Sequence, residues 1–162
     1  MPTPQFILDL RQRVGHDQLW LIGTCVVIVR EGEHGPEVLL VRRSDTGEWT
    51  PVSGITDPGE HPAETAVREA REETGVDIEI DRLVWVNVEP PKRYPNGDRC
   101  QFLDHGFVAR WVAGEAHVAD EESSEVAWFS AGSLPNDDVV LRRRVDAALQ
   151  PGDGVRFTLS PE

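Results

Sequence analysis

Residues 54–76 read GITDPGEHPAETAVREAREETGV, and the organisation of the chain is worked out from this stretch. Its first part, Gly54 to Glu60, continues a Gly- and Pro-rich segment that begins at Trp49 and cannot be helical. From His61 to Thr74 the pattern predicts the best helix in the chain. Pro62 suits the first helical position and Gly75 supplies the stop. Ala63, Ala66, Val67 and Ala70 recur at helical spacing and predict a narrow buried stripe of small residues. Glu69, Glu72 and Glu73 share one face, about a quarter-turn from that stripe, which predicts carboxylates at the edge of the buried surface. Like charges so spaced cost a helix a few tenths of a kcal/mol per pair. A hard divalent cation with oxygen ligands, Mg²⁺ or Mn²⁺, would reverse that sign. Arg68, four residues before Glu72, is placed to hold a carboxylate.

Working outward, Trp20–Arg30 and Val38–Arg43 read as strands joined by the turn at residues 31–36. Strands are predicted at Val76–Ile80, Leu83–Val88, Cys100–Val112 and Glu125–Phe129, with Asn96-Gly97 as a tight turn. A short helix over Pro4–Val14 is expected with Thr3 as its cap, and a longer one over Asn136–Gln150 with Asn136 as its cap. Residues 155–160 are expected to add an edge strand or to fray. Strands interleaved with helices predict an α/β (α+β) fold, a mixed sheet between helices. With no repeat or long linker, residues 1–162 are expected to form one domain, with residues 1–18 as a helical appendage and 151–162 as a tail.

Composition narrows the function. Hydrophobic residues make up 39% and charged residues 28%, as in an ordinary globular protein. No apolar run reaches the ~18 residues of a membrane span, so no membrane partner is expected. The start of the chain lacks the basic and apolar regions of a secretory signal, and two cysteines make no disulfide framework. A cytoplasmic, reducing setting is the expectation. With 29 Asp+Glu against 16 Lys+Arg, the formal net charge is −13, which disfavours binding of duplex nucleic acid. A small polyanion remains compatible if divalent cations neutralise the meeting point.

Between Gly54 and Glu60 stand five residues, and seven more precede Arg68-Glu69-Ala70-Arg71-Glu72-Glu73-Thr74-Gly75-Val76. This pattern resembles the Nudix box, with all its fixed identities present and Ala70 and Val76 in its aliphatic positions. At typical residue frequencies a chance match at a given start has odds on the order of one in a hundred million. Two departures concern the loop: Pro51-Val52-Ser53-Gly54 replaces the usual Pro-Gly-Gly, and His61 stands where a Ser or Thr cap is common.

The resemblance implies an α/β/α sandwich and Mg²⁺-dependent (or Mn²⁺-dependent) hydrolysis of a pyrophosphate bond in a nucleoside diphosphate derivative. It implies Glu69 and Glu73 as the principal metal ligands and Glu72 as a further ligand or base held by Arg68. A backbone carbonyl of Ser53 or Gly54 would complete the shell, Gly54 would let the loop turn against the helix, and Glu60 would fix the loop to the helix. The base varies in the family; here Glu122, in the acidic loop before Trp128, is the expected one, with Glu121 next. A solvated acidic loop is the plain alternative for that segment.

Substrate markers disagree. Pro91 is placed as in ADP-ribose-cleaving members and Tyr94 as in diadenosine-polyphosphate-cleaving ones. Nucleoside triphosphates, ADP-ribose and dinucleoside polyphosphates all stay open, and the segment Glu89–Gly97 also reads as a stiff hairpin tip. Lys92, Arg93 and Arg99 put positive charge there, and Arg42 and Arg43 are weaker candidates for phosphate contact. Trp49 is the tryptophan expected near the site; the other four read as core. The rival reading is a Nudix-fold module that senses a nucleotide without cleaving it. RNA 5′-end processing is disfavoured by the acidic balance. Monomer and homodimer are both compatible with the sequence.

Overall fold

The structure is a computed structural model that describes residues 3–135, 138–152 and 154–157. Its elements are α1 (Gln5–Val14), β1 (Leu19–Gly32), β2 (Gly35–Arg43), β3 (Trp49–Thr50), β4 (Val52–Ile55), α2 (Pro62–Thr74) and β5 (Asp77–Val88). They continue with β6 (Lys92–Arg93), β7 (Arg99–Ala113), β8 (Ser123–Ser130), α3 (Val139–Leu149) and β9 (Arg156–Phe157). Among the described residues nine strands form one mixed sheet in the order β3-β2-β1-β7-β5-β9, with β4 on β1, β6 on β7 and β8 on β2. The pairs β1/β7 and β5/β9 are parallel and the rest antiparallel. Among the described residues no helix is long and apolar enough to cross a membrane.

The sheet is buried on both sides, which is why its central strands read as unbroken apolar runs. Side chains alternate along a strand. Thus Cys25, Val27, Val38 and Leu40 pack with Leu141 and Val145 of α3, whereas Val26, Ile28, Leu39 and Val41 pack with Ala66 and Ala70 of α2. A third cluster seats Ile7 of α1 on Leu21 and Cys100.

Several boundaries differ from expectation for identifiable reasons. The two strands predicted before and after residues 81–82 are one, β5, which absorbs its polar residues through register shifts against β7. Arg82 at that irregularity donates from Nη2 to the carbonyls of Ala148 (2.9 Å) and Gln150 (2.7 Å), closing the end of α3. Helix α3 is capped by Asp138, whose Oδ1 accepts from the backbone N–H of Val140 and Leu141; the expected cap, Asn136, lies outside the described residues. Helix α1 starts at Gln5 with Pro4 in the cap position and no side-chain cap, so Thr3 does not serve. Residues 158–160 of the expected edge strand lie outside the described residues.

Candidate active site

The box helix is fixed at both ends. At its start the ring of His61 accepts from Ala63 N–H through Nδ1 (3.3 Å), and the Glu64 carboxylate accepts from His61 N–H (3.0 Å). A histidine thus does the capping work of the more usual hydroxyl. At its end Gly75 takes a left-handed conformation (φ 71°) and returns its N–H to the Arg71 carbonyl.

Which side chains α2 turns inward departs from the sequence reading. Its buried residues are Thr65, Ala66, Glu69, Ala70, Glu73 and Thr74, and Val67 is 41% exposed. Ala66, Ala70 and Glu73 continue one stripe, so Glu73 extends the alanine row instead of flanking it. Glu69 and Glu73 are only 4% and 6% exposed, well inside the edge position expected of them. Glu72 stays at the surface.

Gly54 is the reason Glu69 fits. A Cβ on Gly54 would fall 2.0 Å from Glu69 Oε1. The glycine sits in β4, paired with Thr24 of β1, so it serves close approach of a side chain to a strand and not the tight turn expected. Arg68 binds the loop and helix together. It donates from Nε and Nη2 to the two oxygens of Glu60 (2.8 and 2.9 Å), and from Nη1 to Glu69 (2.8 Å) and Glu72 (3.1 Å). Glu60 also accepts from Thr65 Oγ1 (2.8 Å), and the hydroxyls of Thr65, Thr56 and Thr24 follow one another at 3.1 and 3.0 Å. These hydrogen bonds, those from Arg68 above all, hold the Glu60 carboxyl at about 2.

The two buried glutamates go the other way. Burial pushes Glu69 up to about 7, against the pull of Arg68, with Glu72 and Glu122 adding to the rise. Glu73 is pushed to about 9 by burial first, then by the charges of Glu69, Asp120 and Glu122. Glu122 therefore shares the electrostatic neighbourhood of both box glutamates. Its loop is pinned by Ser44, whose N–H donates to the Glu122 carbonyl (2.7 Å) and whose hydroxyl donates to the Glu121 carbonyl (3.0 Å).

Glu69 and Glu122 border a cleft of about 500 Å³, a size that suits a nucleotide-scale ligand. Its lining includes Glu69, Ser53, Gly54, Glu121 and Glu122, together with Arg43, Lys92 and Tyr94. Glu72 and Glu73 are not on its surface. Of the other expected contacts, Arg42 is turned to Glu125 and the Gly47 carbonyl. Trp49 packs edge-on against Phe129, 4.8 Å between ring centres, within the α3-side core. Arg93 is exposed on β6, off the cleft. Arg43, the neighbour of Arg42, does reach it, held by both oxygens of Asp45 (2.8 and 2.7 Å).

The sequence reading missed two parts of this wall. Helix α1, expected as an appendage, supplies Ile7 and Arg11 to it. Asp104, Glu89 and Arg144 line it as well. The available signal was Asp104 itself, the single acidic residue of the strand RCQFLDHGFVARWVA.

A divalent cation fits this donor set in part. Glu69, beside the side-chain-free strand position at Gly54, and Glu73, buried one turn on and repelled by it, offer hard oxygen ligands whose charge has no full compensation. Among the described residues no three His, Cys, Asp or Glu side chains already converge as a ready-made set.

The NUDIX domain profile matches residues 21–149. This chain belongs to the Nudix family. A Bacillus subtilis (strain 168) protein whose name assigns it 8-oxo-dGTP diphosphatase activity is 32% identical over 122 residues, spanning 75% of this chain and 74% of the relative. The NAD-capped RNA hydrolase NudC of Pseudomonas entomophila (strain L48) is 34% identical over 116 residues, 68% of this chain but 37% of that protein. The chain thus spans well under half the length of the NudC relatives it matches. Among solved structures, the Burkholderia pseudomallei MutT Nudix hydrolase shares the fold with TM-score 0.64 at 23% identity, over 82% of this chain and 99% of the other. An ADP-ribose pyrophosphatase from Streptococcus suis 89-1591 does so with TM-score 0.63 at 22% identity, over 85% and 98%. This Nudix chain therefore carries its box on the family fold, and its relatives are hydrolases.

Proposed function

We propose that the chain is a divalent-metal-dependent pyrophosphohydrolase, using Mg²⁺ or Mn²⁺, that cleaves a diphosphate bond in a nucleotide-type substrate. Nucleoside triphosphates, ADP-ribose and dinucleoside polyphosphates are the substrate classes. The observation that carries the reading is a pair of buried carboxylates one helical turn apart, Glu69 against Gly54 on the wall of a nucleotide-sized cleft and Glu73 behind it, off the cleft surface. Buried ionisable groups clustered in a cleft mark function more often than stability.

Glu69 and Glu73 would hold the cation, with the backbone at Ser53 or Gly54 and, once released by Arg68, Glu72. When bound, it would stabilise charge developing on the phosphoryl and leaving-group oxygens. The chain's own residues do the rest. A water oxygen attacks phosphorus, the phosphorus–oxygen bond of the anhydride breaks, and Glu122 takes the proton of the water. Arg68 and Glu60 keep Glu69 at the cleft wall by hydrogen bonding. Arg43, Lys92 and Tyr94 meet the phosphates; Arg42, Arg93 and Trp49, off the cleft, have no part in this scheme. The substrate is a small molecule in the cytoplasm, not duplex nucleic acid, and the enzyme works as a monomer or homodimer.

The test is a panel of the three substrate classes, plus nucleotide sugars and a NAD-capped RNA, assayed with Mg²⁺, with Mn²⁺ and with chelator. Metal-dependent release of a nucleoside monophosphate is expected from at least one small substrate. Glu73→Gln should lower kcat/KM by about 10²–10³-fold while the protein stays folded. Turnover that survives in the chelator, or in that variant, would defeat the assignment.

A further inference from the structure

The cleft lining also carries polar atoms of Asp104 and Arg144 that the hydrogen bonds of these two residues within the fold leave over. Asp104 of β7 is 6% exposed. Its Oδ2 accepts from Trp85 Nε1 at 2.8 Å, and Arg144 Nη2 lies 3.7 Å from the same oxygen. Arg144 Nη2 also donates to Glu89 Oε1 at 3.0 Å. Among the described residues, Asp104 Oδ1 accepts no hydrogen bond and Arg144 Nε and Nη1 donate none, yet both residues line the cleft. Among the described residues Arg11 Nε is the one buried side-chain polar atom without a hydrogen-bond partner, so Asp104 Oδ1 opens to the cleft, where water or a ligand can meet it.

The sheet fixes how far this point lies from the box. Asp104 pairs with Gly23 across β1/β7, and Gly23 pairs with Ile55 across β1/β4. Two strand spacings, about 10 Å, therefore separate the backbone at Asp104 from Ile55, the neighbour of Gly54. Gly23, between them, puts no side chain into the gap. A ligand with its phosphates at the box end reaches this point with its base.

We propose that Asp104 and Arg144 form the nucleobase-reading subsite of this enzyme. Asp104 Oδ1 accepts an N–H of the base while Arg144 donates to the acceptor beside it. Glu89 is a positioning residue that holds Arg144 in place. The chemistry selected is a base edge with N–H next to an acceptor, offered by the amide edge of guanine or uracil and by the amidine edge of adenine or cytosine. The assignment rests on the pyrophosphohydrolase reading for its orientation but makes a separate binding claim.

Calorimetry with nucleoside monophosphates, in chelator and without turnover, tests that claim directly. Wild type should bind a monophosphate whose base keeps this edge at least about tenfold tighter than the analogue in which every N–H of that edge is methylated. In Asp104→Asn the amide oxygen satisfies Trp85 Nε1 and the amide nitrogen faces the cleft, turning an acceptor into a donor. Preference for the unmethylated base should then fall to within about twofold, and Glu89→Gln should give an intermediate loss. The proposal is overturned if wild type does not distinguish the methylated base or binds no monophosphate. It is equally overturned if preference follows ribose against deoxyribose, or if Asp104→Asn, folded by circular dichroism, weakens every ligand equally. Should Asp104→Asn not fold, Arg144→Lys replaces it, with the same loss of discrimination expected and undiminished discrimination counting against the subsite. Base discrimination in binding with no hydrolysis of any diphosphate would sink the hydrolase reading alone; hydrolysis without base discrimination would sink the subsite alone.

Discussion

Helices α2 and α3 cover opposite faces of one sheet and bury different chemistry. Helix α3 turns in Leu141, Val145, Ala147 and Ala148, a set whose docking follows from removing apolar area from water. Helix α2 turns in two alanines, two threonines and two glutamates. Burial disfavours the charged forms of those glutamates, so α2 is held less by its own inward face than by the Arg68 web, the hydroxyl chain and the His61 cap. One helix is explained by stability. The other retains groups that a purely stable fold would replace, and such local conflicts concentrate where a protein works.

The sharpest way to break the contrast is Gly54→Ala. The added methyl needs the space of Glu69 Oε1, so the carboxylate must move. A displacement of about 1 Å at a reacting centre costs turnover on the order of 10²-fold. Activity within threefold of wild type would show that Glu69 is not positioned by that strand. Leu141→Ala, on the other helix, should do the reverse. Leu141 is 2% exposed, and its truncation should cost about 2–5 kcal/mol in urea unfolding with kcat largely kept.

Without metal, pH should separate the two helices too. Glu69 and Glu73 hold protons to about 7 and 9 in the folded chain, against 4.5 for an ordinary glutamate. Between those values the folded state binds more protons than the unfolded one, so stability falls as pH rises, by at most about 1.4 kcal/mol per pH unit for each group. Glu60, lowered to about 2, acts oppositely: its contribution is present above 4.5 and fades as pH falls toward 2. Thermal melts in chelator should peak near pH 5, and Glu73→Gln should flatten the alkaline side. A melt that rises steadily from pH 5 to 8 would contradict the burial of these groups. The smallest effect is expected for Val67→Ala. That residue is 41% exposed, and its change should stay within about 0.5 kcal/mol. A larger loss would restore the inward role its spacing predicts.

The box was legible because Gly54, Glu60, Arg68 and the three glutamates sit at fixed separations, and because one helical turn puts i and i+4 together. Depth was not. Periodicity alone assigns Val67 to the core and Glu73 to its edge, whereas the sheet meets the helix on the line through Ala66, Ala70 and Glu73. Arg42 and Arg43 differ by one position on β2, and strand alternation with a register shift against β8 decides which reaches the cleft. The sequence cannot express that choice, because it depends on where β8 pairs. Asp104 and Arg144 come together only through the sheet and α3, so neither carries a local pattern.

The parallel pairing of β1 with β7 runs from Leu19 opposite Cys100 to Val29 opposite Arg110. Partners roughly 80 residues apart make this a slow, late-closing contact. During synthesis β1 leaves the ribosome as an apolar ribbon whose neighbour has yet to be translated. Hairpin pairing with β2 shields one edge in the meantime, and the waiting edge is the chain's chief exposure to misassociation before its sheet can close.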